Sequence, residues 1–271
     1  MLEATRTWRA GGRDIGLVPT MGALHAGHLS LVERARRESS IVVVSAFVNP
    51  IQFGASDDFE RYPRDPDRDA ALLLEAGADA IYRPTVEVMY PRGATTRVRV
   101  GGVAEPLEGA ARPGHFEGVA TVVTKLFAAV DPDRAYFGQK DAQQVAVVKR
   151  LVLDLDLGVE IRVCPTVRDA DGLALSSRNA HLSPEERRAA SALSSALRLA
   201  AERYAAGERD PMRLRQILHD RLAHEPLARV DYAEVVDPET FRPPGDLAVV
   251  AAWIGATRLI DNHRLSEPLP G

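Results

Sequence analysis

Two histidines stand three residues apart in Leu17-Val18-Pro19-Thr20-Met21-Gly22-Ala23-Leu24-His25-Ala26-Gly27-His28, between a short apolar run and an amphipathic one. That spacing puts both rings on one side of a first helical turn. A helix N-terminus carries unpaired N–H groups and a partial positive charge, so it suits a phosphate that gains charge during a reaction. Gly27, between the histidines, lets a large group approach the backbone. Zinc is the other chemistry a histidine pair suggests. Helical metal pairs favour a spacing of four, however, and no cysteine or carboxylate stands beside these two. A lone histidine at a helix start is commonly just a cap; two of them after a buried strand favour phosphate or nucleotide chemistry.

Further segments carry suitable groups. Asn49-Pro50-Ile51-Gln52-Phe53-Gly54 follows an apolar run, and Asn49 and Gln52 each offer donor and acceptor atoms. Gly138-Gln139-Lys140-Asp141 joins a short strand to a helix, pairing a mobile cation with a glycine; Gln143 and Gln144 follow on the first turn. Ser176-Ser177-Arg178-Asn179 supplies two hydroxyls and a guanidinium, which suit polyphosphate oxygens. Glu108-Gly109-Ala110-Ala111-Arg112-Pro113-Gly114-His115-Phe116 reads as a mobile flap or a plain surface loop. Each segment also has an ordinary reading as a turn, a solvated helix start or a polar loop. Asp57, Asp58, Asp65, Asp67 and Asp69 form an acidic stretch, mostly a solvated face, of which one or two members could approach a phosphate-bound magnesium ion. His181, His219, His224 and His263 are isolated and carry no assigned chemistry.

The elements that must position these groups alternate. Strands are expected at 15–18 (ending at Pro19), 41–48, 80–82, 135–137 and 159–163. Helices are expected at 67–76 (stopped by Gly77), 119–130 (stopped by Asp131-Pro132) and 142–152, with another starting near Leu29. Continuously apolar strands separated by helices imply a parallel sheet covered on both faces, with ligands at the carboxyl ends of the strands. Beyond Pro165 the texture changes. Residues 168–172 read as a tight turn between two strands. Ser183-Pro184-Glu185-Glu186 is a helix start with a cap, an N1 proline and a capping-box glutamate, opening a helix to about 206. Asp210-Pro211 opens another to about 224, and 230–236 and 247–259 alternate like strands of a small sheet. The expected fold class is α/β: a doubly wound parallel sheet over residues 1–167, with a smaller α+β domain over 168–271.

Composition sets limits. The chain has 271 residues, 45% of them hydrophobic, with a net charge of −4. It has no global basic field to draw nucleic acid, so an anionic ligand needs a local cluster. Cys164 is the one cysteine; it excludes an internal disulfide, suits a reducing compartment, and reads as core filling. No run of 18 apolar residues suggests a membrane span, and the first residues form no hydrophobic signal core.

Taken together, the 19–28 motif, Phe47-Val48-Asn49-Pro50-Ile51-Gln52-Phe53, Gly138-Gln139-Lys140-Asp141 with Gln143-Gln144, and Ser176-Ser177-Arg178-Asn179 resemble the pantothenate synthetases in order and spacing from about residue 13 to 190. The His-x-Gly-His element alone indicates only the wider nucleotidyltransferase group. The resemblance implies a Rossmann-type first domain, with the second as its lid, and a reaction in which pantoate, β-alanine and ATP give pantothenate, AMP and pyrophosphate through a pantoyl-adenylate, in a magnesium-dependent cytoplasmic homodimer; the expected partners are these small molecules, with no nucleic acid and no membrane. It implies an ATP site from Met21, Gly22, Ala23, Leu24, His25, Ala26, Gly27, His28, Gly138, Gln139, Lys140, Asp141, Val167, Leu175, Ser176, Ser177 and Arg178. His28, His25, Lys140 and Arg178 would be catalytic; Gln52, Gln144 and Asn49 would hold substrate. Gln139 stands where the family often has Glu and Leu175 where Met is frequent; Arg68 stands inside an acidic segment where relatives can carry a carboxylate, so the metal ligands are left open. The stretch before Val18 is shorter than the family's, implying a missing first edge strand and part of its helix. The alternatives are a nucleotidyltransferase acting on a phosphorylated acceptor, and a regulatory nucleotide-binding module without catalysis.

Overall fold

The computed structural model describes residues 1–54, 59–60 and 62–268, so the expectation attached to Asp57 and Asp58 lies outside the described residues. The chain divides into two compact units, Met1–Gly138 with Gln144–Pro165, and Gln139–Gln143 with Thr166–Gly271.

The first unit runs α1 (Leu2–Ala10), β1 (Ile15–Thr20), α2 (Ala26–Glu38), β2 (Ile41–Ala46), α3 (Pro66–Glu75), β3 (Ala80–Tyr82), α4 (Val86–Met89), α5 (Glu108–Ala111), α6 (His115–Val130), β4 (Arg134–Gly138), α7 (Ala142–Asp154) and β5 (Glu160–Cys164). Its five strands form one parallel sheet in the order β3-β2-β1-β4-β5. Alternate strand residues point to opposite faces. Val18, Val42 and Val44 pack with Leu31, Val32 and Ala35 of α2 and Leu73 of α3. Leu17 and Val43, pointing the other way, are also fully buried. Burial on both faces is why these strands read as unbroken apolar runs. Cys164 closes the same core, as expected. The order reverses direction at β1, between β2 and β4, which makes the loop after β1 a topological switch point.

Three expectations for this unit need correction. β1 continues through Pro19 to Thr20, paired with Ser45 and Ala46 of β2. Odd-numbered residues of β1 face β4, as the Asp133 N–H to Ile15 carbonyl bond shows. The β4 pairing spans only Gly16 and Leu17, so no ladder bond is demanded of the N–H that Pro19 lacks. β1 is the central strand, and α1, a nine-residue helix, stands ahead of it. β2 ends at Ala46 rather than at residue 48. The 108–116 segment is neither flap nor surface loop: it holds α5 and the start of α6, with Glu108, His115 and Phe116 buried.

The second unit is α+β. Arg168 and Ala174 form a single antiparallel bridge around a turn at Asp169–Gly172, in place of the two strands expected there. α8 (Pro184–Ala205) starts with the capping box read from the sequence: Glu186 N–H donates to Ser183 Oγ at 3.2 Å and Ser183 N–H to the Glu186 carboxylate at 2.8 Å. α9 (Pro211–Ala223) follows, capped by Asp210. β6 (Ala228–Val236), β7 (Leu247–Ile254) and β8 (Thr257–Arg264) form an antiparallel sheet in that order. Alanines of α8 and leucines of α9 pack on Ala248, Val250, Ala252 and Ile254 of β7. Small residues on both surfaces let helix and sheet approach closely.

Candidate active site

The loop between β1 and α2 is built before any ligand meets it. Thr20 Oγ1 donates to the Ser45 carbonyl at 2.7 Å and accepts the Gly22 N–H at 3.2 Å. Gly22 and Ala23 both have positive φ, +81° and +51°, a conformation that suits glycine and strains alanine. What holds the strained turn is Asp69 on α3, buried to 4% exposure. Its two oxygens accept the Ala23 N–H at 2.9 Å and the Leu24 N–H at 2.8 Å. Arg68 donates to the Leu24 carbonyl at 3.2 Å. Sequence reasoning put Asp69 on a solvated or metal-facing stretch; the structure makes it the anchor of the histidine loop.

His25 is the N-cap of α2, and its Nδ1 accepts the Gly27 N–H at 3.2 Å. An accepting Nδ1 is unprotonated, so in the neutral ring the proton sits on Nε2. His28 lies one turn in, and the two rings stand 4.1 Å apart, tilted by 35°. Both are half-buried, and the first turn of α2 carries no acidic residue to offset its N-terminal charge. The pair can therefore offer ring N–H donors beside a positive helix end.

The second loop of the first unit is a single 3-10 turn, Pro50–Gln52. Asn49 and Gln52 are buried, with 1% and 8% exposure. Asn49 Nδ2 donates to Gln52 Oε1 and to the Gly118 carbonyl, each at 3.0 Å. Tyr90 Oη donates to Asn49 Oδ1 at 2.8 Å, and burial pushes the Tyr90 hydroxyl up to about 12. Gln52 Nε2 reaches Met21 Sδ at 3.1 Å, which links this turn to the histidine loop. His115 Nδ1 lies 2.9 Å from the Gln52 carbonyl and its Nε2 3.2 Å from an Arg112 nitrogen. A carbonyl only accepts and a guanidinium only donates, so His115 is the Nδ1–H tautomer. Gly118 presses α6 against the turn: a Cβ there would sit 2.5 Å from Gln52 Cα and 2.6 Å from its nitrogen. Gln144 is half-buried on the first turn of α7. Tyr90, Gly118 and His115 carried no sequence signal for this role.

In the second unit, Gln139–Asp141 form a 3-10 turn held by Asn262 of β8. Asn262 Nδ2 donates to the Gln139 and Lys140 carbonyls at 3.0 and 2.9 Å, and Gln139 Nε2 donates back to Asn262 Oδ1 at 3.2 Å. Lys140 Nζ stands 3.7 Å from Asp141. The neighbouring Asp261, 3% exposed, takes a bidentate pair from Arg168 at 2.6 and 3.0 Å. Val167 and Leu175 are joined by a backbone bond of 2.9 Å beside the Arg168–Ala174 bridge. Ser176 Oγ accepts the Arg178 N–H at 3.3 Å and so caps the short turn that carries Ser177 and Arg178. Adjacent residues of β8 thus hold the Gln139–Asp141 turn and the Arg168 side of the Arg168–Ala174 bridge. Among the described residues, no three His, Cys, Asp or Glu side chains come together as a metal site.

A protein-family model described as pantoate-beta-alanine ligase matches residues 1–264. The chain belongs to that family. It is 58% identical over 267 residues to the pantothenate synthetase of Acidobacterium capsulatum, covering 96% of this chain and 88% of the relative. Among solved structures, the pantothenate synthetase of Thermus thermophilus superposes with a TM-score of 0.92 at 50% identity, covering 97% of this chain and 98% of that one. The pantoate-beta-alanine ligase of Francisella tularensis, complexed with beta-gamma ATP and beta-alanine, superposes with a TM-score of 0.81 at 34% identity over 98% of this chain and 97% of that one. The pantoate-beta-alanine ligase fold is thus the one described above, with a five-stranded parallel sheet and, later in the chain, a small antiparallel one.

Proposed function

We propose that this chain condenses pantoate with β-alanine, using ATP and releasing AMP and pyrophosphate. Family membership over nearly the whole chain supports the reaction class. The observation that carries the chemistry is the close His25–His28 pair at the start of α2, with the His25 tautomer fixed to Nε2–H.

Pantoate and ATP are both anions, so phosphate charge must be offset before they can react. Lys140 and Arg178 supply cationic groups, and α2 its N-terminal N–H groups. A pantoate carboxylate oxygen attacks the α-phosphorus and the bond to the bridging oxygen of pyrophosphate breaks. His25 and His28 donate hydrogen bonds to the oxygens where charge grows. The β-alanine amine then attacks the acyl carbon of the mixed anhydride, AMP leaves, and the amine loses a proton as the amide forms. This second step is mainly positioning, assigned to Gln52 and Gln144. Met21 to Leu24, Ala26, Gly27, Gly138, Gln139, Asp141, Val167, Leu175, Ser176 and Ser177 line the nucleotide, and Asn49 acts through Gln52.

Magnesium belongs to this reading as a phosphate-bound ion, and it would neutralise phosphate charge there. The protein residues described do not build a cage for it, and Asp69 is committed to Ala23 and Leu24. A homodimer in the cytoplasm completes the reading; among the described residues no helix is long and apolar enough to cross a membrane.

The test is pyrophosphate and AMP release from ATP, magnesium and pantoate, with and without β-alanine. AMP and pantothenate formed in equal amounts, only with all three substrates present, are expected. AMP retained on a phosphorylated acceptor would instead indicate a nucleotidyltransferase.

A further inference from the structure

Asn49, Gln52 and Tyr90 form a hydrogen-bond chain with a fixed direction. The fixed point is the Gly118 carbonyl, which can only accept. It lies 3.0 Å from the Asn49 side chain, so the amide nitrogen must face it. That orientation turns Asn49 Oδ1 toward Tyr90, whose hydroxyl donates at 2.8 Å. It also sends the second Nδ2 hydrogen to Gln52 Oε1 at 3.0 Å. With its oxygen held by Asn49, Gln52 presents Nε2, the donor end, toward Met21 and the histidine loop. Both acid substrates of the proposed reaction carry a carboxylate. A glutamine presenting N–H groups attracts a carboxylate or hydroxyl oxygen, whereas one presenting its carbonyl repels a carboxylate.

We propose that Tyr90 is a positioning residue for the acid substrate: through Asn49 it locks the Gln52 amide with its donor end toward the reacting groups. Tyr90 acts two residues away from the substrate and makes no contact with it in this scheme. The proposal rests on the ligase reading given above. The tyrosine is placed for this by its own surroundings: its ring stands 6.3 Å from Phe47, which follows β2, and it follows α4 directly. Removing its hydroxyl leaves Asn49 Oδ1 buried without that donor. Asn49 then holds Gln52 against only one fixed partner, and the Gln52 amide gains the freedom to turn over.

A double-mutant cycle decides the matter. In Tyr90→Phe the KM for pantoate should rise by about tenfold, the scale of one lost buried hydrogen bond, while the KM for ATP stays within about twofold. In a Gln52→Ala background the same substitution should change the pantoate KM by less than about twofold, because its path of action is gone. An equal effect in both backgrounds would show a merely structural tyrosine and overturn the proposal, as would unchanged kinetics in Tyr90→Phe. The Asn49 and Gln52 side-chain amide resonances of 15N-labelled protein give a reading independent of turnover. They should move in Tyr90→Phe, and unmoved resonances would also overturn the lock. Wild-type protein without pantoate-dependent pyrophosphate release would sink the ligase reading, while those resonances would still report on Tyr90.

Discussion

At the scale of single residues, the site depends on a few polar groups whose protonation and direction are dictated by what they touch. His28→Ala should lower the rate of adenylate formation by about 10²–10³-fold, the usual result of removing one preorganised donor, with the far-ultraviolet circular dichroism unchanged. A single-turnover rate within threefold of wild type would remove His28 from that role. Asp69→Asn tests the loop anchor. One oxygen that accepts an N–H becomes an amide that cannot, so a buried donor loses its partner. Urea unfolding should show a loss of about 1–3 kcal/mol, together with slower adenylation, since the histidine loop then relaxes. The histidine pair was legible from spacing alone, because a three-residue interval maps onto one helix face. Asp69 was not: nothing in the sequence tells a reader that it reaches back to residues 23 and 24. Tyr90, Gly118 and Asn262 were hidden for the same reason, since their partners lie 41, 69 and 123 positions away.

Elements carry the next set of consequences. Helix α6 fixes the Gln52 turn by contact, and Gly118→Ala would drive a methyl into backbone that cannot rotate away. A loss of stability of about 1–3 kcal/mol is expected from such overpacking, with a raised pantoate KM; thermal unfolding and steady-state kinetics on one preparation check both. In α8, Ser183→Ala should cost about 1 kcal/mol by removing the cap, and should leave turnover untouched. That capping box was readable because helix starts are decided within four residues. The apolar strands were readable because burial on both faces leaves a continuous signature. The 108–116 segment was misread because glycine and proline mark loops in general, while His115 is tied to the Gln52 turn, 63 positions back, which local sequence does not name. Pro19 misled in a similar way: it is tolerated only because the β4 pairing stops short of it.

For the whole molecule, acid and alkali should each loosen the fold through an identifiable group. Asp14 accepts from Ser40 and pairs with Arg134, and these hydrogen bonds hold its carboxyl down to about 2 from an ordinary value of 3.8. Its pKa is depressed by folding, so its stabilisation is present above 3.8 and fades as pH falls toward 2. Tyr90 is the mirror case. Its hydroxyl is raised from 10 to about 12 by burial, so the fold loses stability as pH climbs from 10 to 12, where the unfolded chain ionises first. Melting temperatures across this whole range of pH should therefore fall at both ends. Asp14→Asn should flatten the acid limb and Tyr90→Phe the alkaline one; limbs unaltered by these substitutions would assign the transitions to other groups. The proposed homodimer is checked by sedimentation: a species of twice 29.5 kDa at micromolar concentration is expected.

The two successive positive-φ residues ahead of α2 have a consequence for the timing of order. Ala23 stays in its unfavourable conformation because a carboxylate on a distant helix grips its amide and the next one. The histidine loop is thus shaped once, when the chain folds, and need not be reshaped at each catalytic cycle. A chain with glycine at position 23 would fold with less local strain and still present the same ring nitrogens. It would also let the loop wander between turnovers, trading a stiffer catalyst for a more comfortable backbone. The alanine at this position records which of those two the sequence keeps.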